Sequence, residues 1–277
     1  MKVIASTGVK GGVGKSTFAI LLAFKLSKKG KVILCDCDVE CPNDYLLLNQ
    51  NLKNPKIIYQ EYPLLDEEKC IKCGLCSKIC KENAIFWVKN KKPLFIYDLC
   101  SACGACVLVC PNKAIKTKKE KAGEFFVNKI NENFWLVTGK SKPGITETGP
   151  VVFETKERAL KLAKEKNANY LIIDTSPGTH CNVIQALLGV DKIYAVTEPT
   201  PLGSHDLSLI LELAKKLKIP KEIVLNKANI GNKKEIEKIA KKFKTKISIE
   251  IPYSEELINA YCEKNLKKVI NLLKEIK

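Results

Sequence analysis

The residues with the clearest chemical meaning are eight cysteines in two runs of identical spacing. CIKCGLCSKIC contains Cys70, Cys73, Cys76 and Cys80, and CSACGACVLVC contains Cys100, Cys103, Cys106 and Cys110. Paired C-x2-C units bind zinc in many proteins. A third cysteine followed by an x3 spacing, present twice, instead favours iron–sulfur clusters held by thiolates.

The two runs resemble the bacterial ferredoxins with two [4Fe–4S] clusters, in which the fourth cysteine of each run ligates the other cluster. This resemblance implies one cluster held by Cys70, Cys73, Cys76 and Cys110 and a second held by Cys100, Cys103, Cys106 and Cys80. Gly74 and Gly104 permit a tight backbone wrap around each cluster. The second run ends in Cys-Pro as expected, whereas Lys81 follows the first run, which removes a rigid turn residue and no ligand.

A second motif, KGGVGKST, lies near the start of the chain after a short apolar segment. Its glycines allow backbone N–H groups to converge on phosphate oxygens, and the helix that follows contributes its N-terminal dipole. Lys15 can reach the β- and γ-phosphates of a nucleotide, and Ser16 can ligate Mg²⁺. The predicted nucleotide-binding loop consists of Gly11, Gly12, Val13, Gly14, Lys15, Ser16 and Thr17.

KGGVGKST resembles the deviant Walker A motif of the MinD/ParA/nitrogenase-iron-protein class of ATPases. Val9 stands where a P-loop usually has its first glycine, and this position varies in the class. The resemblance implies that Lys10 reaches across a nucleotide-sandwich dimer to the partner's phosphates and acts with Lys15 in catalysis. It therefore implies ATP-dependent dimerisation, as a homodimer or as a heterodimer with a paralogue.

Other segments follow in the order that this class uses. CDCDVECPN resembles the switch I segment, which implies that Asp38 organises the attacking water and that Asp36 lies near Mg²⁺. YLIIDTSPG resembles Walker B followed by switch II, which places Asp174 in the Mg²⁺ shell and gives Gly178 a mobile peptide near the γ-phosphate. VLNK places Asn226 at a strand end, where the class uses an asparagine to recognise adenine.

The elements that must position these residues alternate between strands and helices on both sides of the cysteine runs. KVIAST and KVILCDCD predict parallel strands joined by a helix, and the alternation resumes with the helix TKERALKLAKEKN and the strand YLIID. Between them lie the cysteines, a lysine-rich stretch (KTKKEK) and a segment of strand and turn character.

We expect a doubly wound, mainly parallel α/β sheet with an inserted α+β ferredoxin domain. The expected boundaries are 1–60 for the first part of the ATPase domain, 61–120 for the ferredoxin-like insert, 121–153 for a strand- and turn-rich return segment, and 154–277 for the second part of the ATPase domain.

Together with VTEPTPLGSHDL, this arrangement resembles ATPases of the MinD/ParA/Mrp superfamily that carry an inserted ferredoxin domain. The resemblance covers essentially the whole chain. It implies ATP, Mg²⁺ and two [4Fe–4S] clusters as cofactors.

The charge balance is strongly basic, with 47 lysines and arginines against 30 acidic residues and a formal charge of +17. The lysines are scattered beside glutamates along the predicted helices, which favours a solvated surface over a nucleic-acid track. No apolar run approaches the roughly 20 residues that span a bilayer, and Met1 leads directly into a predicted strand without a signal peptide. We expect a cytoplasmic protein with reduced thiols and with neither nucleic-acid nor membrane partners.

Five cysteines lie outside the two runs. Cys181 follows Asp174 at the spacing at which the nitrogenase iron protein carries a ligand of its subunit-bridging cluster. Two roles are open for Cys181: it binds a bridging cluster, or it is a small half-buried residue at a helix start. The remaining four are expected to be structural residues: Cys35, Cys37, Cys41 and Cys262.

The C-terminal segment has apolar residues at helical spacing, which we expect to pack on the α/β core rather than to anchor a membrane. They are Leu266, Val269, Ile270 and Leu273.

Three functions fit these features. The first is an ATP-gated redox protein that delivers electrons to a partner through two clusters. The second is an iron–sulfur cluster carrier or assembly ATPase of the Mrp type, which would use Cys181 and an acceptor protein. The third is a MinD-like positioning ATPase, for which the clusters have no evident use.

Overall fold

A computed structural model describes residues 1–145, 147–263 and 268. The C-terminal apolar positions 266, 269, 270 and 273 lie outside the described residues. The strands are β1 (Lys2–Thr7), β2 (Val32–Cys37), β3 (Lys56–Leu65), β4 (Ile85–Phe86), β5 (Leu94–Phe95), β6 (Ile115–Asn131), β7 (Phe134–Ser141), β8 (Tyr170–Thr175), β9 (Lys192–Thr197), β10 (Lys221–Asn226) and β11 (Ile247–Ile251). The α-helices are α1 (Lys15–Ser27), α2 (Asp44–Leu47), α3 (Leu75–Ile79), α4 (Ala105–Val109), α5 (Gly149–Glu165), α6 (Cys181–Leu187), α7 (Pro201–Lys216), α8 (Lys234–Lys242) and α9 (Glu255–Cys262).

Nine of the strands form one sheet in the order β11-β10-β9-β1-β8-β2-β7-β6-β3. The seven strands from β11 to β7 run parallel, and β6 and β3 extend the sheet with antiparallel pairing. The prediction of a mainly parallel α/β sheet is confirmed. Because the carboxyl ends of parallel strands meet at one edge, the loops after β1, β2, β8 and β9 are brought together there.

Helices cover both faces of the parallel strands, so alternate residues of each strand enter two different cores. Ile33 and Ile173 pack with Ala159 of α5 on one face, while Leu34 and Ile172 pack with α1 on the other. Strands buried on both faces have near-continuous apolar sequences rather than an alternating pattern. The short apolar segments of β1, β2 and β8 follow from this burial on both faces.

The cysteine runs lie between β3 and β6, in residues 66–114, which we term the cysteine module. Strand β3 pairs with the first part of β6 from Lys56↔Phe125 to Leu65↔Ile115. We call this two-stranded extension the arm. After the module, the chain returns to the core through β6 and β7 before it enters α5, and β7 lies parallel to β2.

Within the described residues, none of the helices combines the length and the apolar character that a membrane-spanning helix requires.

Candidate functional site

The glycine-rich loop joins β1 to α1 at the carboxyl edge of the sheet. Gly12 and Gly14 have φ of 77° and 98°, in the left-handed region that favours glycine. A Cβ on Gly14 would also lie 2.5 Å from Nδ2 of Asn226. That same Nδ2 donates a hydrogen bond to the carbonyl oxygen of Val13 at 2.9 Å, and Oδ1 of Asn226 accepts from the Lys227 N–H at 3.0 Å. In this structure Asn226 therefore holds the loop against the end of β10.

Lys15, the first residue of α1, is buried, with 7% of its surface exposed. Its ammonium donates to the carbonyl oxygen of Lys10 at 3.0 Å, across the loop. Burial lowers the pKa of Lys15, and the carboxylates of Asp174 and Asp38 act in the opposite direction. The side chain is thus held at the mouth of the loop, where a phosphate would supply the counter-charge that burial demands.

A cavity of about 350 Å³ opens in front of the loop, a size that suits a small ligand. It is lined by Gly12, Gly14, Lys15, Ser16 and Thr17 together with Asn43, Leu46 and Leu47 of the α2 region. The structure thus assembles five of the seven predicted loop residues around one cavity. Gly11 is exposed beside it, and Val13 is buried in the core beneath it.

The side chain of Lys10 is 44% exposed. Its ammonium lies 4.0 Å from a carboxylate oxygen of Glu198, directly after β9. Glu198 is buried and also forms an ion pair with Lys227 at 2.5 Å. An exposed lysine with one weak pairing is free to move toward a ligand on another subunit.

Four polar side chains stand side by side on neighbouring strands at the same edge. Ser6 on β1 pairs in register with Asp174 on β8, Asp174 pairs with Asp36 on β2, and Asp36 pairs with Thr138 on β7. Register partners on adjacent strands point to one face, so this row faces the α1 side of the sheet. Asp44, the first residue of α2, completes a buried group. One oxygen atom from each of Asp36, Asp44 and Asp174 lies within 4.8 Å of the others.

We call Asp36, Asp44 and Asp174 the acidic group. All three are at most 1% exposed. Burial raises the pKa of Asp36 and Asp44 well above the usual range, and repulsion between the carboxylates adds to it. Burial also raises the pKa of Asp174 to about 7, although Ser16 and Lys15 favour its charged form. Such an oxygen-only group fits a hard divalent cation such as Mg²⁺.

Asp36 organises the loop that follows β2. Its carboxylate accepts hydrogen bonds from the N–H groups of Asp38 (3.1 Å), Asn43 (3.1 Å) and Asp44 (3.2 Å). Asp38 is half-buried, and burial raises its pKa while Lys15 opposes the shift. Asp38, the predicted water-organising residue, therefore lies close enough to Lys15 of the nucleotide-binding loop for their charges to interact. Gly178 has φ of 106°, a conformation that favours glycine.

In the cysteine module, the two runs adopt the same backbone conformation thirty positions apart. Gly74 and Gly104 precede α3 and α4 with φ of 75° and 76°. Positive φ also recurs at the non-glycine pairs Lys72/Ala102 (60° and 54°) and Asn83/Lys113 (53° and 49°). These conformations turn N–H groups toward sulfur: the N–H of Ala102 donates to Cys100 Sγ at 3.4 Å, and that of Ala114 to Cys110 Sγ at 3.2 Å. The module is an internal duplication in structure as well as in sequence.

The eight cysteines fall into two neighbouring groups. One cavity is lined by Cys70, Cys73, Cys76 and Cys110. In the second group, Cys80 and Cys103 lie close enough to Cys100 to raise the pKa of its thiol, and Cys100 and Cys103 do the same for Cys106. The groups meet at Cys76 and Cys106, which pack in one small core with Ile85 and Ile115.

The spacing of the sulfur atoms distinguishes between metal types. Four thiolates on one tetrahedral zinc ion lie about 3.8 Å apart, because each Zn–S bond is about 2.3 Å long. Within the described part of the chain, no three cysteine sulfur atoms lie within 4.8 Å of one another. A four-iron cluster binds each thiolate on a different iron and so needs a wider arrangement. The eight thiols, in two groups of four, supply the number and kind of ligands that two such clusters would need.

Three of the eight thiols, those of Cys76, Cys100 and Cys106, are partly removed from solvent. Burial raises the pKa of Cys76 and Cys100, and burial with repulsion from Cys100 and Cys103 raises the pKa of Cys106 to about 11. A bound cation reverses this effect, because a metal ligand must be the thiolate. These cysteines thus gain most from a cationic group placed between them.

Side-chain contacts fix the module to the arm. Gln60 on β3 donates from Nε2 to the carbonyl oxygen of Ser101 at 3.3 Å. The Tyr97 hydroxyl donates to the carbonyl oxygen of Pro63 at 3.0 Å, and its ring stacks on Phe95. Tyr62 meets Tyr97 edge to face. A displacement of the arm therefore moves the module with it.

Cys181 begins α6 and is exposed. It lines a cavity of about 620 Å³ together with Cys41, Asp38 and His180. No other cysteine lies close to Cys181 in the sequence, but the fold brings Cys41 to the same cavity. Of the four cysteines expected to be structural, Cys35 and Cys37 are buried, whereas Cys41 and Cys262 are exposed.

Three further residues were missed by sequence reasoning. Asp44 follows an asparagine in a loop, a context that usually indicates a helix start. Thr138 lies in β7, and its place beside Asp36 depends on a long-range strand pairing. Glu198 lies in VTEPT, a segment that had been quoted only for its resemblance. Acidic residues directly after apolar strands were the signal that could have identified Glu198.

Comparisons with known proteins agree with this geometry. The family model for the CobQ/CobB/MinD/ParA nucleotide binding domain matches residues 4–267. An uncharacterised protein of Methanocaldococcus jannaschii is 39% identical over 264 residues, which make up 95% of this chain and 90% of that protein. The septum site-determining protein MinD of Pyrococcus horikoshii, solved with Mg-ADP, superposes with a TM-score of 0.57 at 18% identity. This match covers 99% of this chain and 95% of that one, and shows a shared fold.

Two shorter matches involve iron–sulfur and redox proteins. The iron-sulfur cluster carrier protein of Rickettsia bellii is 27% identical over 131 residues, or 46% of this chain and 41% of that protein. The ketoisovalerate oxidoreductase subunit VorD of Pyrococcus furiosus is 36% identical over 63 residues, or 22% of this chain and 60% of that protein.

Proposed function

The chain belongs to the CobQ/CobB/MinD/ParA nucleotide-binding family, and we propose that it is an ATP-hydrolysing iron–sulfur protein. In this proposal a nucleotide-dependent dimer switch controls electron transfer through two [4Fe–4S] clusters. MinD/ParA proteins are ATPases, which supports the hydrolysis part of the proposal. The reduced thiols that clusters require would place the protein in the cytoplasm.

The single observation that carries the coupling is how the arm connects the two sites. Asp36 is the last residue but one of strand β2, and the chain then passes through the Asp38 loop, α2 and a short connection into β3 of the arm. The other strand of the arm, β6, pairs with β7, which lies beside β2. Both strands of the arm thus lead to the segment that would sense the γ-phosphate. A movement of this segment has a short covalent and hydrogen-bonded route to the module.

On the nucleotide side, each residue has a distinct role. The loop N–H groups between Gly11 and Thr17 would cradle the phosphates, and Lys15 would neutralise the β- and γ-phosphates. Ser16, Asp36 and Asp174 would hold Mg²⁺, and Asp38 would orient the attacking water. Asn226 holds Val13 in place and would recognise the adenine base from the end of β10.

The dimer interface would use Lys10. Among the residues that the structure describes, its ammonium pairs with Glu198 at 4.0 Å, and Glu198 is also held by Lys227. Moving the Lys10 ammonium away from Glu198 therefore costs little free energy, and phosphates bound to the partner would pair with it more strongly. A homodimer and a heterodimer with a paralogue both satisfy this geometry.

On the cluster side, Cys70, Cys73, Cys76 and Cys110 would hold one cluster, and Cys100, Cys103, Cys106 and Cys80 the other. When bound, the clusters supply one-electron transfer. Contact between Cys76 and Cys106 keeps the two groups adjacent, and the exposed Cys73 and Cys103 give a partner protein access to both. An allosteric coupling of 1–3 kcal/mol corresponds to a shift of about 40–130 mV in a one-electron potential.

Anaerobic purification with iron and sulfide counting tests the cluster part of the proposal. We expect about eight iron and eight sulfide per chain, two [4Fe–4S] clusters in all. Reductive titration with and without Mg-ATP then tests the coupling, with Lys15→Ala as a control that keeps the module unchanged. Clusters whose reduction is indifferent to ATP would leave the ATPase assignment intact and remove the coupling.

The alternative function is an iron–sulfur cluster carrier of the Mrp type. It is favoured by the partial similarity to the Rickettsia bellii carrier protein and by the cavity that contains Cys41 and Cys181. A double variant, Cys41→Ser with Cys181→Ser, would then lose transfer to an apo-acceptor and keep its module clusters. Unchanged transfer by this variant would count against the carrier function.

The lesser alternative is a MinD-like positioning ATPase. Fractionation of the protein with ATP and with either acidic lipid vesicles or DNA tests it. We expect the protein to stay unbound in both cases, since its lysines are spread among glutamates rather than gathered on one face.

A further inference from the structure

The loop that contains Asp38 is bonded to both ends of the connection between β7 and α5. The carbonyl oxygen of Val39 accepts a hydrogen bond at 2.7 Å from the N–H of Ser141, the last residue of β7. The hydroxyl of Thr148, directly before α5, donates to Oε1 of Glu40 at 2.8 Å. Two consecutive residues after Asp38 therefore hold the segment through which the chain returns from the cysteine module to the core.

The bond between Thr148 and Glu40 is an unusual use of a threonine. Thr148 occupies the N-cap position of α5, where a threonine side chain commonly accepts a hydrogen bond from the first turn of its own helix. Among the described residues, its side chain makes no such bond. The residue is buried, with 4% of its surface exposed, and its hydroxyl proton is directed to Glu40 in a different segment. The N-terminus of this 17-residue helix also favours the negative charge of Glu40.

Glu40 also lies close to Asp38. Burial raises the pKa of Asp38 and the nearby carboxylate of Glu40 adds to this effect, while Lys15 opposes it. Asp38, Glu40 and Thr148 line the same cavity of about 620 Å³. A bound nucleotide would change the charge that Asp38 faces, because its phosphates would compete for the ammonium of Lys15. A resulting movement of Asp38 would act directly on the bond between Glu40 and Thr148.

Helix α5 is in turn fixed to α6. The side chain of Lys156 on α5 is buried, and its ammonium donates to the carbonyl oxygens of Ala186, at 2.9 Å, and Leu188, at the end of α6. Helix α6 follows the predicted switch II segment that contains Gly178. Helix α5 is therefore attached to one predicted switch segment through Thr148 and to the other through α6.

We propose that Glu40 and Thr148 are positioning residues that make the Asp38 loop, the end of β7 and the start of α5 respond to nucleotide together. Glu40 holds the Asp38 loop to the start of α5, and β7 carries the response through β6 to the arm. This connection to the module is additional to the covalent one through α2 and β3. The inference rests on the proposed place of Asp38 in the nucleotide site.

Hydrogen–deuterium exchange of the full, anaerobically purified chain tests this role in peptides that cover residues 139–153. The exchange is measured with Mg²⁺ alone and with Mg²⁺ and a non-hydrolysable ATP analogue. In the wild type we expect the analogue to change the exchange rate by at least about fivefold. Thr148→Val keeps the shape of the side chain and removes its hydroxyl, so it should lose this response. Thr148→Ser keeps the hydroxyl and should retain the response.

Glu40→Ala removes the other partner of the bond and should lose the response as well. It changes an exposed side chain, so it decides the test even if Thr148→Val does not fold. Thr155→Val is the matched control. Thr155 is a buried threonine of the same helix whose hydroxyl donates within α5, to the carbonyl oxygen of Val151, and its variant should respond as the wild type does.

A bond that only stabilised the fold would give a different result. Its loss would raise the exchange equally with and without the analogue, and the response to nucleotide would remain. A response that persists in Glu40→Ala would overturn the proposal. A wild type that binds the analogue, as measured by fluorescent-nucleotide titration, without a response in these peptides would overturn it too.

The redox proposal fails in a distinguishable way, because the cluster potentials are measured separately. A response of these peptides without any shift in cluster potential would keep the positioning role of Glu40 and Thr148 and remove the redox coupling. A wild type that binds no nucleotide would remove the proposed function and this inference with it.

Discussion

The nucleotide edge and the cysteine module both gather ligand atoms around a central place, but they are built in different ways. The nucleotide edge is assembled from the ends of parallel strands that are buried on both faces. The module consists of two five-residue helices, short strands and loops with positive φ, and its hydrophobic core is small, with Cys76, Ile85 and Cys106 packed together with Ile115 at the start of β6.

This difference separates two sources of stability. The sheet holds its site in place whether or not a ligand is present, because its core is large. In the module, two of the four core residues are themselves predicted ligands. Small domains with little core depend on metals for their fold, since metal binding supplies the missing folding free energy. We therefore expect the nucleotide edge to tolerate the loss of its ligand and the module not to.

The largest expected effect is that of iron removal. Anaerobic chelation of iron should raise the rate of proteolysis within residues 66–114 by about 1,000-fold, because local opening of the module no longer costs its ligand-derived stability. The sheet should stay folded. Mass spectrometry of the cleavage products checks both statements. Cys106→Ser should imitate the effect, whereas Cys262→Ser, which changes an exposed cysteine outside the module, should not. A module that resists proteolysis after iron removal would contradict the expected difference in stability between the two regions.

The second effect concerns the other site. Lys15→Ala should lower ATP hydrolysis by about 100- to 1,000-fold, because it removes a buried donor aimed at the transferring phosphate. The iron content should stay at the wild-type value. Steady-state phosphate release and iron analysis on the same sample measure the two quantities. A variant that loses both would show that the sites are not separately stabilised.

The third effect compares the two halves of the module. Gly74 and Gly104 have nearly the same φ, but a Cβ on Gly74 would lie 2.7 Å from the Trp87 ring, and one on Gly104 would meet no atom within 4 Å. Both alanine variants carry backbone strain, and Gly74→Ala adds overpacking of about 1–3 kcal/mol. The denaturant midpoint for loss of the cluster absorbance measures the difference. Equal midpoints would mean that Trp87 moves aside freely.

The smallest effect is at the end of β10. Asn226→Ala removes the hydrogen bond to the Val13 carbonyl, which contributes about 1 kcal/mol. Nucleotide affinity should fall by about fivefold, with the module clusters unchanged. Fluorescent-nucleotide titration measures this. Unchanged affinity would show that Asn226 is needed neither for the loop nor for the base.

The sequence was informative wherever chemistry is local. The loop from Gly11 to Thr17, the strands that carry Asp36 and Asp174 near their ends and the eight cysteines each lie in a short motif whose meaning does not depend on distant residues. Asp44, Thr138 and Cys41 could not be placed in this way. Their positions follow from pairings between β2, β7 and β8 and from the approach of α2, which connect residues far apart in the chain.

The arm shows the same limit in another form. The lysine-rich stretch from Lys116 to Lys121 has no apolar alternation, because both faces of the arm are largely solvated there. It forms a strand through antiparallel pairing with β3, and ion pairs such as Lys118–Glu120 and Lys119–Glu61 lie on its surface. A pattern that depends on burial cannot identify such a strand.

The most direct test of the account is the reduction potential of the clusters in the wild-type protein, measured anaerobically with and without Mg-ATP, beside Lys15→Ala. The account predicts a shift of about 40–130 mV on addition of ATP to the wild type and no shift in the variant. Fully loaded clusters with the same potential under all four conditions would contradict the proposed coupling between the nucleotide edge and the cysteine module.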